Sequence, residues 1–381
     1  MTTKVVAANV KPTKIHLEAM GACQLKCPAC PTATGAIRPT IASGYLRFES
    51  FKKLVDENPT AKHIELSNYG EIFLNPQLLP ILEYAQQKGV KLTVDNGANL
   101  NTVKDELLEG VVKYGLHSMT CSIDGASNET YGIYRVKGHF DTVIANIRRI
   151  NEFKRKYNSR FPALTWQFIV FGHNEHEIPQ ARELARELDM EFKPKLNWDE
   201  DYSPVKNREW VELEIGKSTS RSDYKEETGV DYSRGICHQL WHEPQINWDG
   251  KLLGCCRNFW GDFGDNVFEA GLEKALNNPK IKHARAMLMG QAEPRDDIPC
   301  TTCEIYIGMR ADRNFITPAE LLQQRTLWNR IDEFSKTHRR AYRVMRAAYR
   351  ATGARRLLHW YMRRSAKRAQ ANGNGSTTSA S

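Results

Sequence analysis

The chain has 381 residues, 41% of them hydrophobic, and a formal net charge of +9, a length that excludes a minimal scaffold and predicts two or three domains. Twelve Lys and Arg, with no Asp or Glu, lie between Lys336 and Arg368, so the rest of the chain has a net charge of −3 and a nucleic-acid-binding surface on the main body is not expected. The sequence has neither an apolar signal segment nor a run approaching the roughly 20 apolar residues of a membrane span, so we expect a cytoplasmic protein with reduced thiols.

From Thr13 to about Leu196, short β-rich runs alternate with amphipathic helical segments. The predicted strands are residues 15–19, 63–67, 91–95, 118–124, 166–170 and 191–196. The predicted helices between them are Glu49 to Glu57, Pro76 to Lys88, Thr102 to Tyr114, Asp141 to Tyr157 and Glu177 to Leu188. This alternation predicts an α/β fold with a parallel sheet, either doubly wound or curled into a barrel. In a barrel the chemistry lies at the carboxyl ends of the strands, where the polar motifs of this chain fall.

Three cysteines follow the first predicted strand in the run GACQLKCPACP, with the spacing C-x3-C-x2-C. We call Cys23, Cys27 and Cys30 the first cysteine set. Three thiolates hold three irons of a four-iron cluster and leave the fourth iron open, whereas structural zinc or an electron-transfer cluster normally fills its ligand shell. The spacing therefore predicts a cluster that keeps one iron for a small molecule.

This run resembles the signature of the radical S-adenosylmethionine (SAM) superfamily. The resemblance implies a partial (β/α)6 TIM-like barrel in residues 1–215, a 4Fe–4S cluster that binds SAM, and reductive cleavage of SAM to a 5′-deoxyadenosyl radical. It also implies an electron donor of the flavodoxin or ferredoxin type. One departure is Ala29, because the family often has an aromatic residue before the third cysteine; that residue is not a ligand.

The resemblance also assigns cofactor-binding roles to residues at the strand ends. Gly70 and Glu71, in SNYGEIF, match the GGE-type motif that receives the SAM ammonium, with Tyr69 in place of the usual first glycine. Ser122 and Arg135, in SIDGASNETYGIYR, match positions that hold the SAM carboxylate. Read locally, the Gly-Glu pair also fits a turn at the barrel rim, the serine a hydroxyl bonded to backbone, and the arginine a surface salt bridge.

The segment FGHNEHEI contains Asn174 and Glu177, at positions where family members contact the adenosine of SAM. The same pair fits a helix N-cap with an acidic first turn. Both interpretations stay open on the sequence.

A second group of cysteines comprises Cys237, Cys255, Cys300 and Cys303, which we call the second cysteine set. Four thiols form a closed shell that, taken alone, fits zinc about as readily as iron–sulfur. With Gly250, the set resembles the twitch domain, the shortened form of the SPASM domain that holds one auxiliary 4Fe–4S cluster. The resemblance implies such a domain in residues 216–312.

Two cysteines belong to neither set. Cys121 lies inside a predicted strand and is expected to be a buried apolar residue. Cys256 adjoins Cys255 and is either a bystander thiol or a hydrogen-atom donor to a substrate radical, as in some radical SAM epimerases.

The last part of the chain is divided into a helical basic extension, residues 313–370, and a tail, residues 371–381, that is predicted to be disordered. Arginines in the extension alternate with aromatic and aliphatic residues, a pattern that suits an anionic membrane surface or a helical pair packed on the body. The first alternative predicts peripheral association with the inner membrane face.

The sequence thus predicts a radical SAM oxidoreductase resembling members such as 2-deoxy-scyllo-inosamine dehydrogenase, with net oxidation of a sugar-, cyclitol- or polyol-like small molecule. Peptide maturation is one alternative, although few residues precede the first strand and no N-terminal leader-binding domain is expected. Redox-neutral epimerisation is another. A non-catalytic metal-containing protein that binds polyanions or membranes is the alternative from a different class.

Overall fold

A single sheet organises the chain. The computed structural model describes residues 9–323 and, beyond them, residues 334, 341 and 345. The sheet has eight strands in the order β6-β5-β4-β3-β2-β1-β7-β8. The strands are β1 Lys14–Leu17, β2 His63–Glu65, β3 Lys91–Ala98, β4 Ser118–Ser122, β5 Ala163–Val170, β6 Glu191–Leu196, β7 Gln245–Ile246 and β8 Leu252–Gly254.

Strands β1 to β6 are parallel and lie side by side in sequence order. Since βαβ crossovers are right-handed, consecutive order puts every connecting helix on the same face of the sheet. A doubly wound sheet instead reverses its strand order and carries helices on both faces. The α/β fold with a parallel sheet is therefore confirmed, and its consecutive strand order excludes the doubly wound alternative.

The five predicted helices are present, with bounds that differ by a few residues. The α-helices of the described residues are Pro31–Thr34, Phe48–Glu57, Leu78–Gln87, Asp105–Lys113, Asn128–Tyr134, Phe140–Lys156, Ile178–Glu187, Arg208–Ile215, Arg221–Thr228, Gln239–His242, Val267–Ala270, Leu272–Ala275, Pro279–Leu288, Glu304–Ala311 and Pro318–Gln323. The longest, Phe140–Lys156, buries Val143, Ile147 and Ile150 at helical spacing, because an amphipathic stripe must face the sheet. The connecting helices thus fix the positions of the strand ends.

The barrel region also contains helices that were not predicted, and one of them bears on the site. Asn128–Tyr134 follows β4 and begins at Ser127, whose side chain accepts a hydrogen bond from the Thr130 backbone amide. It contains Gly132 and Thr130, which are weak helix formers, and its buried Tyr131 and Tyr134 hold it in place. This helix ends at Arg135 and so sets the position of that side chain.

The region after β6 joins the same sheet. Strand β7 pairs in parallel with β1 on the side opposite β2, and β8 pairs antiparallel with β7. The division predicted at residues 215 and 216 thus separates two regions whose strands share hydrogen bonds. We call residues 216–312 the second region.

Most of the predicted basic extension, residues 313–370, and all of the predicted tail, residues 371–381, lie outside the described residues. The helix Pro318–Gln323 falls at the start of the extension. Within the part of the chain that is described, no helix has the length and apolar character needed to cross a bilayer.

Candidate functional site

A cavity of about 360 Å³ opens at the carboxyl ends of the parallel strands. It is lined by residues that follow β1, β2, β3, β4 and β6 and by residues of the second region, and we call it the large cavity. Seven of the residues assigned from the sequence line it together: Cys23, Cys27, Cys30, Gly70, Glu71, Ser122 and Arg135. Parallel strands bring distant parts of the chain to one edge in this way.

The loop after β1 carries the first cysteine set. Cys27 is buried and the other two thiols are partly exposed to the cavity. The backbone turns tightly here, with the Cys30 amide donating to the Cys27 carbonyl at 3.1 Å. Burial raises the pKa of Cys23 to about 12 and also raises the pKa of Cys27. Both thiols are therefore protonated at neutral pH without metal, and iron binding would release their protons.

Gly70 has no room for a side chain. A Cβ at this position would lie 1.9 Å from the Met20 carbonyl oxygen and 2.8 Å from that of Ala22. The backbone of the motif after β2 therefore packs directly on the loop that leads to the first cysteine set. Buried Glu18, at the end of β1, accepts hydrogen bonds from the amides of Tyr69 and Gly70. This carboxyl group fixes the motif relative to the cysteine loop.

Glu71 presents a buried carboxyl group to the same cavity. The Asn99 amide donates to its Oε2 at 2.6 Å and the Phe73 amide to its Oε1 at 3.3 Å. Burial nevertheless raises the pKa of Glu71 to about 7. A cationic ligand group would compensate the buried charge, so the environment fits the ammonium contact that the family resemblance implies.

Arg135 is held by Asp124, a fully buried residue just after β4. Its Nε donates to Asp124 Oδ2 at 2.6 Å, and its Nη1 lies 3.7 Å from Cys27 Sγ. The second oxygen of Asp124 accepts from the Ile169 amide at 2.7 Å. Arg135 is therefore part of a buried ion pair beside the first cysteine set, and the surface salt bridge that its local sequence allowed is not what the structure shows.

Ser122 lines the cavity at the end of β4, beside Gly97 of β3. A Cβ on Gly97 would lie 2.4 Å from Ser122 Oγ, and the φ of Gly97 is +134°, so only glycine fits beside this hydroxyl.

Asn174 and Glu177 are not among the described residues that line the large cavity. Asn174 is fully buried, accepts from the Phe171 amide at 2.8 Å and donates to the Asp124 carbonyl at 3.1 Å. Glu177 accepts from the Ala126 amide at 2.6 Å and from the Thr130 hydroxyl. Neither side chain caps its own helix. Both instead hold the backbone after β4, and their predicted contact with adenosine stays a prediction.

The second cysteine set lines a separate cavity of about 20 Å³, which we call the small cavity. Most of its other walls are apolar side chains: Ile236, Leu240, Trp260, Phe263, Leu288, Pro299, Ile305 and Tyr306. Burial raises the pKa of Cys237 well above its usual value, and the nearby Cys255, Cys300 and Cys303 raise it further. The four thiols line one apolar enclosure and provide the donor set of a closed metal site, either zinc or iron–sulfur.

In the part of the chain that is described, no three His, Cys, Asp or Glu side chains are grouped to hold a single metal ion. Each cysteine set lines a cavity instead.

A thin wall separates the two cavities. Ile236, Arg257 and Trp260 line both of them, and adjacent cysteines face opposite sides, with Cys255 on the small cavity and Cys256 on the large one. The Asn68 side chain donates to the Cys256 carbonyl at 2.9 Å. These contacts join the wall to the loop after β2.

Tyr69 explains the departure from the GGE-type motif. Its hydroxyl donates to the Asn258 carbonyl at 2.8 Å, so the residue in place of the first glycine attaches the second region to the barrel motif.

Several site residues were not assigned from the sequence. Glu18 has one visible signal, an acidic residue at the end of an apolar strand. The large cavity is also lined by Lys195, Arg221 and Arg257. The alternation of side chains along β6 is a sequence signal for Lys195. Nothing in the local sequence distinguishes the two arginines from exposed ones. The expectation for Cys121 is confirmed, because it is fully buried in β4.

Residues 17–185 match the family model described as the Radical SAM superfamily. A curated relative, the AdoMet-dependent heme synthase of Methanosarcina barkeri, is 29% identical over 186 residues, which cover 48% of this chain and 50% of that protein. The chain thus spans about half the length of this relative.

Among solved structures, SuiB of Streptococcus suis has a TM-score of 0.57 at 12% identity, covering 79% of this chain and 73% of that chain. SuiB bound to S-adenosylmethionine gives 0.54 at 13% identity, covering 80% and 71%. BtrN in complex with AdoMet and 2-DOIA gives 0.45 at 14% identity, covering 78% of this chain and 94% of that chain. The SuiB similarity concerns the fold alone. The match of residues 17–185 to the family model is what supports a relationship to the radical SAM superfamily.

Proposed function

We propose that this chain, as a radical SAM superfamily protein, binds SAM in the large cavity and uses it to abstract a hydrogen atom from a small-molecule substrate. The observation that carries the proposal is that the first cysteine set, Glu71 and Arg135 line one cavity although they come from three separate strand ends. A cysteine spacing alone is a short motif, whereas this convergence supplies both an iron-binding loop and charged groups for an amino acid moiety.

Cys23, Cys27 and Cys30 would hold a 4Fe–4S cluster. When bound, that cluster supplies the electron that splits SAM and yields the 5′-deoxyadenosyl radical. Glu71 would receive the SAM ammonium, and Gly70 would allow the close backbone approach. Ser122 and Arg135 would bind the SAM carboxylate, with Asp124 orienting the guanidinium. The cavity walls would exclude water from the reacting groups.

The second cysteine set would hold an auxiliary 4Fe–4S cluster, which when bound supplies an electron acceptor. The thin wall supports this role, since Ile236, Arg257 and Trp260 contact both cavities. An acceptor so near the substrate favours net oxidation, such as dehydrogenation of a sugar-, cyclitol- or polyol-like molecule. A flavodoxin- or ferredoxin-like protein would supply the first electron.

Redox-neutral epimerisation is a second candidate, and one observation favours it. Cys256 lines the large cavity, whereas its neighbour Cys255 lines the small one. A thiol in that position can return a hydrogen atom to a substrate radical, and the resulting thiyl radical would take one electron from the flavodoxin- or ferredoxin-like donor and one proton from solvent. In D₂O, a reaction of this kind would leave one deuterium in the product of the wild-type protein, and Cys256→Ala would abolish turnover.

The proposed function is tested by 5′-deoxyadenosine formation from SAM in anaerobically reconstituted, reduced protein. We expect cleavage by the wild-type chain and none by Cys23→Ala. Cys121→Ala is the matched control, because it removes a buried thiol that lines neither cavity, and it should retain cleavage. Wild-type protein that contains iron but never forms 5′-deoxyadenosine, even with candidate substrates, would contradict the proposal.

A further inference from the structure

The large cavity contains cationic side chains that SAM binding does not use. Lys195 lies in β6, Arg221 begins the helix Arg221–Thr228, and Arg257 follows Cys256. The fourth cation of the cavity, Arg135, is paired with Asp124. Among the described residues that line the cavity, Glu71 is the one carboxylic acid, and the proposed function assigns it to the SAM ammonium.

Ion pairs neutralise these three cations incompletely, although Arg221 and Arg257 also line a neighbouring cavity that contains carboxylates such as Glu200, Asp231 and Glu304. Lys195 Nζ donates to Gln167 Oε1 at 3.3 Å, which is a neutral acceptor. Arg221 Nη1 donates to the Ser233 hydroxyl at 2.7 Å, also a neutral acceptor. In both cases the protein supplies a hydrogen bond, but no carboxylate of the described residues lies within ion-pair distance of the cation.

Arg257 forms a salt bridge with Glu304, an exposed carboxylate whose charge is screened by solvent. The Nε atoms of both Arg257 and Arg221 are buried without a hydrogen-bond acceptor in the described part of the chain. Buried N–H groups of this kind are normally satisfied. The two guanidinium groups therefore have donor capacity that an added acceptor would fill.

The positive charge of Arg221 acts against that of Lys195, and the charge of Arg257 acts against that of Arg221. Burial lowers the pKa of Lys195 to about 8, and Lys193 and Arg221 lower it further. Burial likewise lowers the pKa of Arg221, with Arg257 contributing, while Asp231 and Glu200 act in the opposite direction. An anion placed among Lys195, Arg221 and Arg257 would relieve this repulsion.

We propose that the substrate carries a carboxylate or phosphate group and that Lys195, Arg221 and Arg257 bind it. This inference rests on the proposed function and narrows its substrate class. Guanidinium and ammonium groups are the usual protein partners of both anions. The three residues lie on the wall formed by β6 and the second region, so the anionic group would sit beside Cys256 and the small cavity.

The test uses the full chain with both clusters reconstituted and SAM bound. Inorganic phosphate is titrated in one arm and succinate in the other. Both titrations are calorimetric and are made at low ionic strength, where charge interactions are least screened. We expect saturable binding of at least one anion by the wild type. Lys195→Gln combined with Arg221→Gln should weaken it by at least about tenfold, equivalent to ~1.4 kcal/mol. The arm with the tighter binding identifies the chemical class.

Arg155→Gln is the matched control, because Arg155 is an exposed cation on the helix Phe140–Lys156, and it should bind the anion as the wild type does. If the double variant unfolds, Lys195→Gln alone is measured, with Lys195→Arg expected to restore binding. Three outcomes would overturn the proposal: no wild-type binding of either anion, equal binding by the variants in Lys195 and Arg221, or a parallel loss of SAM affinity. Failure of the proposed function is separate, since it appears as wild-type protein without SAM cleavage.

Discussion

The two cysteine sets occupy contrasting cavities. The first set lies on one short loop and lines a cavity of about 360 Å³. The second set extends over more than sixty positions of the chain, from Cys237 to Cys303, and lines a cavity of about 20 Å³. Acidic and basic side chains line the large cavity, while the small cavity has apolar walls with Arg257 as its charged member among the described residues.

Under the proposed function, the difference corresponds to two uses of the same kind of cofactor. Three thiols beside a large charged cavity would leave one iron open and space for a small molecule with an amino acid moiety. Four thiols around a small enclosure would complete the ligand shell of a cluster and leave no room for a ligand. Ligand number and cavity volume are independent observations, and they agree in both sets.

The largest expected effect comes from removing one set at a time. With all three cysteines of the first set changed to alanine, SAM cleavage should fall by at least about a thousandfold, since the cofactor that supplies the chemistry is gone. The same protein should retain about four irons per chain on the second set. Iron, sulfide and zinc analysis after anaerobic reconstitution checks this. Zinc in place of iron would remove the distinction between an open and a closed cluster.

Gly70→Ala should disrupt the large cavity and leave the small one intact. The new methyl group would meet the Met20 carbonyl at 1.9 Å, so we expect a loss of roughly 2–4 kcal/mol in the free energy of unfolding and loss of SAM binding. Gly132→Ala is the control, because its Cβ meets nothing within 4 Å in a helix and should stabilise by about 0.5–1 kcal/mol. Denaturant titration measures the free energy of unfolding of both variants. Similar changes in the two would mean that the close approach of Gly70 to the Met20 carbonyl is unimportant.

Glu71→Gln should weaken SAM binding about 10- to 100-fold, as expected for losing a hydrogen bond to a charged group. Because burial raises the Glu71 pKa to about 7, the carboxylate forms as pH rises through 7, and wild-type affinity for SAM should increase between pH 6 and 8. The variant should lack this increase. Calorimetry measures the SAM affinity of both proteins between pH 6 and 8. An identical pH dependence of the wild type and Glu71→Gln would exclude Glu71 as the ammonium partner.

Tyr69→Phe should have the smallest effect. It removes the hydrogen bond from the hydroxyl to the Asn258 carbonyl, which predicts a loss of about 1 kcal/mol in the free energy of unfolding. Since this bond connects the barrel motif to the second region, iron retention by the second cysteine set should fall more than SAM affinity. Equal losses at both sites would argue against a local connection.

The sequence predicted the fold of the barrel region well, because its strands and helices have strong periodicities. All six predicted strands and five predicted helices are present near their predicted bounds. Strands β7 and β8 were not predicted, since Gln245–Ile246 and Leu252–Gly254 are too short to show a period. Their pairing depends on contact with β1, which is distant in the sequence.

The site was predictable where residues are close in sequence or match a motif. The first cysteine set, Gly70, Glu71, Ser122 and Arg135 all line the large cavity. Other roles depend on tertiary contacts: Asn174 and Glu177 face the backbone after β4 rather than the cavity. Glu18 and Lys195 were identified as site residues from the burial and the orientation of their side chains in the structure, because the local sequence does not determine either property.

The difference between the two cysteine sets is tested most directly by the response of each cluster to SAM, measured by electron paramagnetic resonance on two reduced variants. One variant retains the first cysteine set with alanine at the second, and the other retains the second set with alanine at the first. If the first cluster is open and the second is closed, SAM shifts the signal of the first variant and leaves that of the second unchanged. A first-set signal that ignores SAM, or a second-set signal that responds to it, would contradict the assignment of open and closed clusters.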